Sequence, residues 1–269
     1  MKTAWPGGLP ARRKAFLAGA ALILLAAVAT VAVRAAAGHA RGRPPAGYPA
    51  QARPGTVLLV PGYGGSTRGL SILAARIRAA GRPAAVVRLP GNGTGSLVRD
   101  AAALDQAVTR ALHAGAPSVD VIGYSAGGVT TLLWARDDDG ARRARRVVTL
   151  GAPFHGTAVA STAAGFDPGA CPAACQQLVP GSILLNGLAR GAPGPLRWLS
   201  LWTTDDQTVL PPDSARLAGA VNVPVQSVCP AQRIAHSQLP TSPVVTAMVL
   251  QAIGTGPLGR PAAAACAAG

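Results

Sequence analysis

The chain has 269 residues and a formal charge of +15, with 25 basic residues against 10 acidic ones. All ten acids are aspartate; glutamate is absent, and lysine occurs only at Lys2 and Lys14. An H-E-x-x-H zinc site, a glutamate-pair glycosidase and a Schiff-base lysine in the body of the chain are therefore excluded, and no Cys/His cluster has zinc-ligand spacing. A serine nucleophile served by one histidine and one aspartate survives, and no metal site is expected.

In chain order, Arg12, Arg13 and Lys14 precede an uncharged apolar run from Ala15 to Val33, then Arg34 and the small residues 35–38. Residues 1–37 read as an export signal, or as a retained N-terminal anchor because the run is just long enough to span a bilayer. Either reading puts the body outside the cytoplasm, as a secreted or membrane-anchored protein. Residues 38–55 read as a Pro/Gly-rich extended tether. With five basic residues assigned to the leader, the body keeps 20 basic against 10 acidic residues. Aromatics are scarce and not interleaved with basic residues, which argues against a nucleic-acid partner. Arg142, Arg143, Arg145 and Arg146 form the densest basic cluster. They read as a solvated strand entrance, with contact to an anionic membrane or cell-envelope surface as the alternative.

Thr56–Val60 is a short apolar run ending in Pro-Gly, which predicts a buried parallel strand. Helical spacing follows over Leu70–Ala80, a strand over Ala84–Leu89, and an amphipathic helix over Leu97–His113 with Leu97, Ala101, Leu104, Val108 and Leu112 on one face. A strand is predicted over Ser118–Ile122, a helix over Val129–Ala135 and a strand over Val147–Leu150. Residues 151–195 are Gly/Pro-rich. They supply the expected flap, with Phe154, Phe166, Leu178, Ile183, Leu184 and Leu185 as candidates for an apolar wall. Strands are predicted over Leu196–Thr203 and Val223–Val228, and a last helix over Pro243–Ile253. Alternating strands and helices imply an α/β fold, a mostly parallel sheet with helices on both faces and a site at the carboxyl ends of the strands. The catalytic domain is expected over 56–256, with a C-terminal tail over 257–269.

Between the Ser118 strand and the Val129 helix stands Gly-Tyr-Ser-Ala-Gly-Gly (123–128), a G-x-S-x-G motif at a strand-to-helix turn. Such a turn lifts a serine Oγ above the sheet and aims the next helix's N-terminal amides at developing negative charge. Ser125 is the candidate nucleophile. His39 and His113 precede it, in the tether and on a helix. His155 has only the Asp137–Asp139 run between itself and the serine. His236, in a loop after the last predicted strand, is the candidate general base. Asp205 and Asp206, at the end of the Leu196–Thr203 strand, are both candidates for the orienting acid. The oxyanion donors expected are the N–H of Ala126, after the nucleophile, and that of Tyr63, in the glycine-rich loop after the first strand.

Four cysteines, an even number in an exported chain, suggest two disulfides. The simplest of the three pairings is Cys171–Cys175 with Cys229–Cys266.

Val-Pro-Gly-Tyr-Gly-Gly (60–65), Gly-Tyr-Ser-Ala-Gly-Gly (123–128), Leu-Gly-Ala-Pro-Phe-His-Gly-Thr (150–157) and Thr-Thr-Asp-Asp-Gln-Thr-Val (203–209) resemble, in order and spacing, the motifs of small secreted bacterial lipases and esterases of the α/β-hydrolase superfamily. The resemblance covers roughly Thr56 to Ile253. It implies the α/β-hydrolase fold, no cofactor, a monomer, and hydrolysis of carboxylic esters, often acylglycerols. It puts the nucleophile on Ser125, the acid on Asp206 rather than Asp205, the base on His236 and the oxyanion donors on Tyr63 and Ala126. His155 falls in a structural signature, which implies a scaffold or pocket-wall role. Two positions depart from the pattern: Pro61 stands where such lipases commonly have His, and Ala235 where they commonly have Gly. Acyl transfer to a lipid or cell-envelope alcohol is the alternative within this fold, and a non-catalytic hydrolase-like binding module the alternative outside enzymes.

Overall fold

The computed structural model of the chain describes residues 48–137, 139–166 and 168–268. The expected leader (1–37) and the first part of the tether (38–47) lie outside the described residues.

Six strands form one parallel sheet: β1 (Thr56–Val60), β2 (Ala84–Val86), β3 (Val119–Tyr124), β4 (Ala144–Leu150), β5 (Arg197–Trp202) and β6 (Val221–Pro224), in the spatial order β2-β1-β3-β4-β5-β6. Because both faces are covered, the strands are mostly apolar, and their alternate side chains enter different cores. Val57, Leu59, Ile122 and Val148 join the core formed with α1 (Arg68–Ala79) and α7 (Pro243–Ala252). Leu58, Val60, Val121 and Val147 join the opposite core, under α2 (Leu97–His113) and α3 (Ala126–Asp137). Ser96 starts α2 by accepting a hydrogen bond from the Val98 N–H, and Ser242 starts α7 by accepting one from Val245.

The chain runs from β1 outward to β2, then crosses back to place β3 on the other side of β1. The connection out of β1 runs to β2 on one side and the connection out of β3 runs to β4 on the other, which opens a crevice beyond the carboxyl ends of the β1/β3 pair.

The strand and helix order follows the sequence reading, with local corrections. Strand β2 stops at Val86, ahead of Leu89, and β6 stops at Pro224, where a 3-10 turn over Val225–Ser227 takes over. The 151–195 stretch carries three short helices, α4 (Ala158–Phe166), α5 (Ala173–Gln177) and α6 (Ile183–Leu188).

The arginine cluster is the largest correction. Strand β4 begins at Ala144, so Arg145 and Arg146 lie inside it and are fully buried. Arg145 makes a two-pronged ion pair with buried Asp120, Nε to Oδ1 at 2.9 Å and Nη2 to Oδ2 at 2.5 Å, and Arg82 adds a third contact at 2.8 Å. Other guanidinium N–H groups of these arginines cap the end of α7: Arg82 donates to Ile253 O, Arg145 to Gly254 O and Arg146 to Ala252 O. Cations at a helix C-terminus meet unpaired carbonyls and the negative end of the dipole. Burial, foremost, and the neighbouring Arg145 push the Arg146 pKa down. Of the cluster, only Arg142 is exposed.

Gln51 lies against the same network. Its carbonyl accepts from Arg145 at 2.9 Å, and its side-chain oxygen accepts from Arg146 at 3.0 Å. Cys171–Cys175 and Cys229–Cys266 are both disulfides, and the second ties the tail, with its 3-10 turn over Ala263–Ala268, to the segment after β6.

Candidate active site

Ser125 sits between β3 and α3 with φ of +54°, a left-handed conformation that a non-glycine residue adopts only when its surroundings enforce it. Its N–H donates to Leu150 O at the end of the neighbouring β4, and its carbonyl accepts from Gly128. The turn closes against β1: a Cβ on Gly127 would stand 2.4 Å from both Val60 O and Pro61 O. On the other side, a Cβ on Gly62 would meet Ser125 Cβ at 2.8 Å. Only glycine lets the β1 loop approach the serine this closely.

Three residues from three loops meet at this turn. Ser125 Oγ lies 2.9 Å from His236 Nε2, and His236 Nδ1 lies 2.6 Å from Asp206 Oδ2. His236 and Asp206 are both buried, and Ser125 is half-buried. The other oxygen of Asp206, Oδ1, accepts from the N–H groups of Thr208 and Val209, both at 2.8 Å. This Asx-type turn aims the carboxylate. The Thr203 hydroxyl donates to Ile234 O at 2.6 Å and so ties the end of β5 to the histidine loop. Asp205 points elsewhere, 3.5 Å from Arg233 Nη1 and 3.5 Å from Gln226 Nε2.

The two candidate donor amides flank the serine, Ala126 as the first residue of α3 and Tyr63 in the loop after β1. Hydrogen bonds within these turns run from Gly64 to Gly93 O, from Gly65 to Gly62 O, from Ser125 to Leu150 O and from Gly128 to Ser125 O. They leave the Tyr63 and Ala126 N–H groups out.

Tyr124 carried no marking in the sequence, being the variable residue of the motif. Its hydroxyl donates to the His236 carbonyl at 3.3 Å, and its ring lies 5.2 Å from the imidazole, centroid to centroid. Burial, with the Asp206 carboxylate second, pushes its pKa up to about 12.

His39 lies outside the described residues, and the other two histidines do not join this group. His113 is exposed at the end of α2, and His155 is exposed with Nε2 3.1 Å from Arg216 O. Of the expected wall residues, Leu178 lines a cavity of about 180 Å³ beside Ser125, whereas Phe154 packs edge-on against Trp198 in the core. Phe166 and Ile183 point to solvent, 89% and 94% exposed. Larger open clefts of about 680 and 640 Å³ lie beside α6 and below β2, and Ser125, Asp206 and His236 line neither.

No protein-family model and no curated protein matches the sequence. Solved structures do match. Lipase B of Aspergillus fumigatus superposes over 82% of this chain with a TM-score of 0.64 and 18% identity, and this chain spans only 57% of its length. The mature lipase BlEst2 of Bacillus licheniformis superposes over 68% of this chain and 86% of its own, with a TM-score of 0.53 and 20% identity. An extracellular α/β-hydrolase from a Paenibacillus species covers 74% of this chain and 98% of its own, with a TM-score of 0.52 and 13% identity. The six-stranded parallel sheet with its β1/β3 crevice and these superpositions identify the fold of the chain as that of the α/β-hydrolases.

Proposed function

We propose that the protein is an exported serine hydrolase of carboxylic esters, acylglycerols among them, working through an acyl-enzyme on Ser125. The observation that carries this reading is the hydrogen-bonded sequence Asp206–His236–Ser125 at a left-handed strand-to-helix turn. His236 Nε2 takes the Ser125 proton as Oγ attacks the ester carbonyl carbon. The carbonyl oxygen becomes an oxyanion that accepts from the Tyr63 and Ala126 N–H groups. As the tetrahedral adduct collapses, the C–O bond to the alcohol breaks and His236 returns the proton to the departing oxygen. Water then repeats the sequence on the acyl-enzyme, giving the acid and free Ser125. Asp206 holds Nδ1–H and so keeps Nε2 free to accept a proton. Export is supported by the leader's charge and hydropathy pattern and by two disulfides, which persist in oxidising compartments.

The test is hydrolysis of p-nitrophenyl esters by the wild type and Ser125→Ala, with fluorophosphonate labelling of both. The proposal expects rapid hydrolysis and labelling of the wild type alone. Equal activity in Ser125→Ala overturns it.

A further inference from the structure

The cavity beside Ser125 has a size, a chemistry and a direction, and together they address which ester is cleaved. About 180 Å³ is small for a binding pocket; drug-sized ligands occupy about 300–1,000 Å³. An apolar cavity of about 150 Å³ takes up benzene, with its six carbons. The space here therefore accommodates an aliphatic chain of about that many carbons, up to about eight with the mouth included.

The lining is mostly apolar and carries no charged side chain; besides Ser125 its polar side chains are Tyr63, Thr157 and Thr208. Its walls include Val159, Ala160 and Ala163 from α4, Ala170 just ahead of the disulfide-closed turn, Cys175 at that turn's end, and Leu178. The Thr157 hydroxyl on this wall is already committed, donating to Thr208 O at 2.8 Å and accepting from Leu210 N–H at 3.0 Å. Burying an unpaired polar substituent in such surroundings costs on the order of 1–3 kcal/mol.

The direction follows from His236. The imidazole must protonate the departing alcohol, so the alcohol lies on its side of Ser125. Neither His236 nor any other residue of its loop lines the cavity, whereas Tyr63, which carries a candidate oxyanion amide, does. The cavity is thus on the acyl side.

Resting on the serine-hydrolase reading above, we infer that this cavity is the acyl-binding pocket and that it selects short-to-medium aliphatic acyl groups, with α4 and the Cys171–Cys175 turn setting the length limit. The contribution of α4 is geometric: Val159, Ala160 and Ala163 stand at i, i+1 and i+4, and two of the three are alanine, so the free length is defined by missing side chains. Enlarging Ala163 fills the pocket, and truncating Leu178 deepens it.

The experiment measures kcat/KM of the full-length chain for p-nitrophenyl esters from acetate to palmitate, alongside a series of alkyl acetates varied in the alcohol. Wild type, Ala163→Leu, Leu178→Ala and Ser125→Ala are compared, with circular dichroism to show folding. The expected optimum lies between butyrate and octanoate, moves to shorter acyl chains in Ala163→Leu and to longer ones in Leu178→Ala. One methylene too many in a fixed apolar pocket costs at least on the order of tenfold in kcat/KM. An optimum at palmitate, or one that neither variant moves, overturns the inference while leaving Ser125-dependent hydrolysis intact. Length selection that follows the alcohol series instead also overturns it. Full activity in Ser125→Ala would strike the underlying reading, a separate outcome.

Discussion

Tyr124 and His236 are joined twice across the turn, by the hydrogen bond from the phenol to the histidine carbonyl and by the tilted contact of their rings. Because Tyr124 is the residue before Ser125, the backbone that carries the nucleophile also supports the loop that carries the base. Tyr124 is thus a positioning residue that acts through His236 and does not line the cavity beside Ser125. A neutral hydrogen bond contributes about 0.5–1.5 kcal/mol, and 1.36 kcal/mol is tenfold in rate. Tyr124→Phe keeps the ring and should lower kcat about two- to tenfold with KM little changed, whereas Tyr124→Ala should cost more. With the phenol pKa pushed up to about 12, the hydroxyl remains a donor throughout the assay range. The loss in Tyr124→Phe should therefore be the same from pH 6 to pH 9, read from kcat–pH profiles. A pH-dependent loss, or a change in KM alone, would contradict the positioning role.

The neighbouring aspartates separate cleanly. Asp206 is buried against His236 with both oxygens committed, and Asp205 is half-exposed toward Arg233. Asp206→Asn should keep the fold but stabilise the wrong imidazole tautomer, lowering kcat on the order of 10⁴-fold. Asp205→Asn should change kcat less than about threefold, since an exposed ion pair is worth about 0–1 kcal/mol. Steady-state kinetics on purified, folded variants decides between them.

Much of this geometry was legible before any coordinates. The order of strands and helices follows from runs that alternate in period, and Ser125 and His236 are reached by motif and elimination because the chain has few histidines and no glutamate; the residues alone leave Asp205 and Asp206 open, and only the family resemblance points to Asp206. What was not legible depends on contacts between distant segments. Arg145 and Arg146 look like surface charge in a one-dimensional reading. Their partners are Asp120, 25 residues from Arg145, and carbonyls at the end of α7, more than 100 residues away. The pocket wall was misplaced for a related reason. Apolar bulk points to Phe154, Phe166 and Ile183 as well as Leu178, but only Leu178 of these bounds the space beside Ser125, where Ala160 and Ala163 of α4 matter for what they leave empty.

The Asp120–Arg145 pair lies at the amino ends of β3 and β4, the opposite edge of the sheet from Ser125. Removing one member leaves the other charged and buried, which typically costs about 3–5 kcal/mol. Asp120→Ala should lower stability by that amount, strongly coupled to Arg145→Ala in a double-mutant cycle. The specific activity of the folded fraction should stay near wild type. Urea unfolding and active-site titration measure both quantities, and additive single-mutant effects would argue against a coupled pair.

Asp100 gives stability a pH dependence of the opposite sign to most carboxylates. It stands in the first turn of α2, 2% exposed, and burial raises its pKa from 3.8 to about 6, with Arg99 only partly opposing. Between pH 3.8 and about 6 the folded chain therefore holds a proton that the unfolded chain has released. This group's contribution to stability is fully present below pH 3.8, falls as pH rises through that window, and remains low at neutral pH. About two pKa units at 1.36 kcal/mol each put the cost at roughly 3 kcal/mol above the window. Asp100→Asn keeps the size of the side chain and removes the charge. It should raise stability at pH 7.5 by on the order of 1–3 kcal/mol, less the loss of a favourable charge at the start of α2, and the gain should vanish at pH 3.5. Urea unfolding of the two proteins at several pH values tests this directly. A variant less stable than wild type at neutral pH would show instead that the carboxylate is held by a compensating partner.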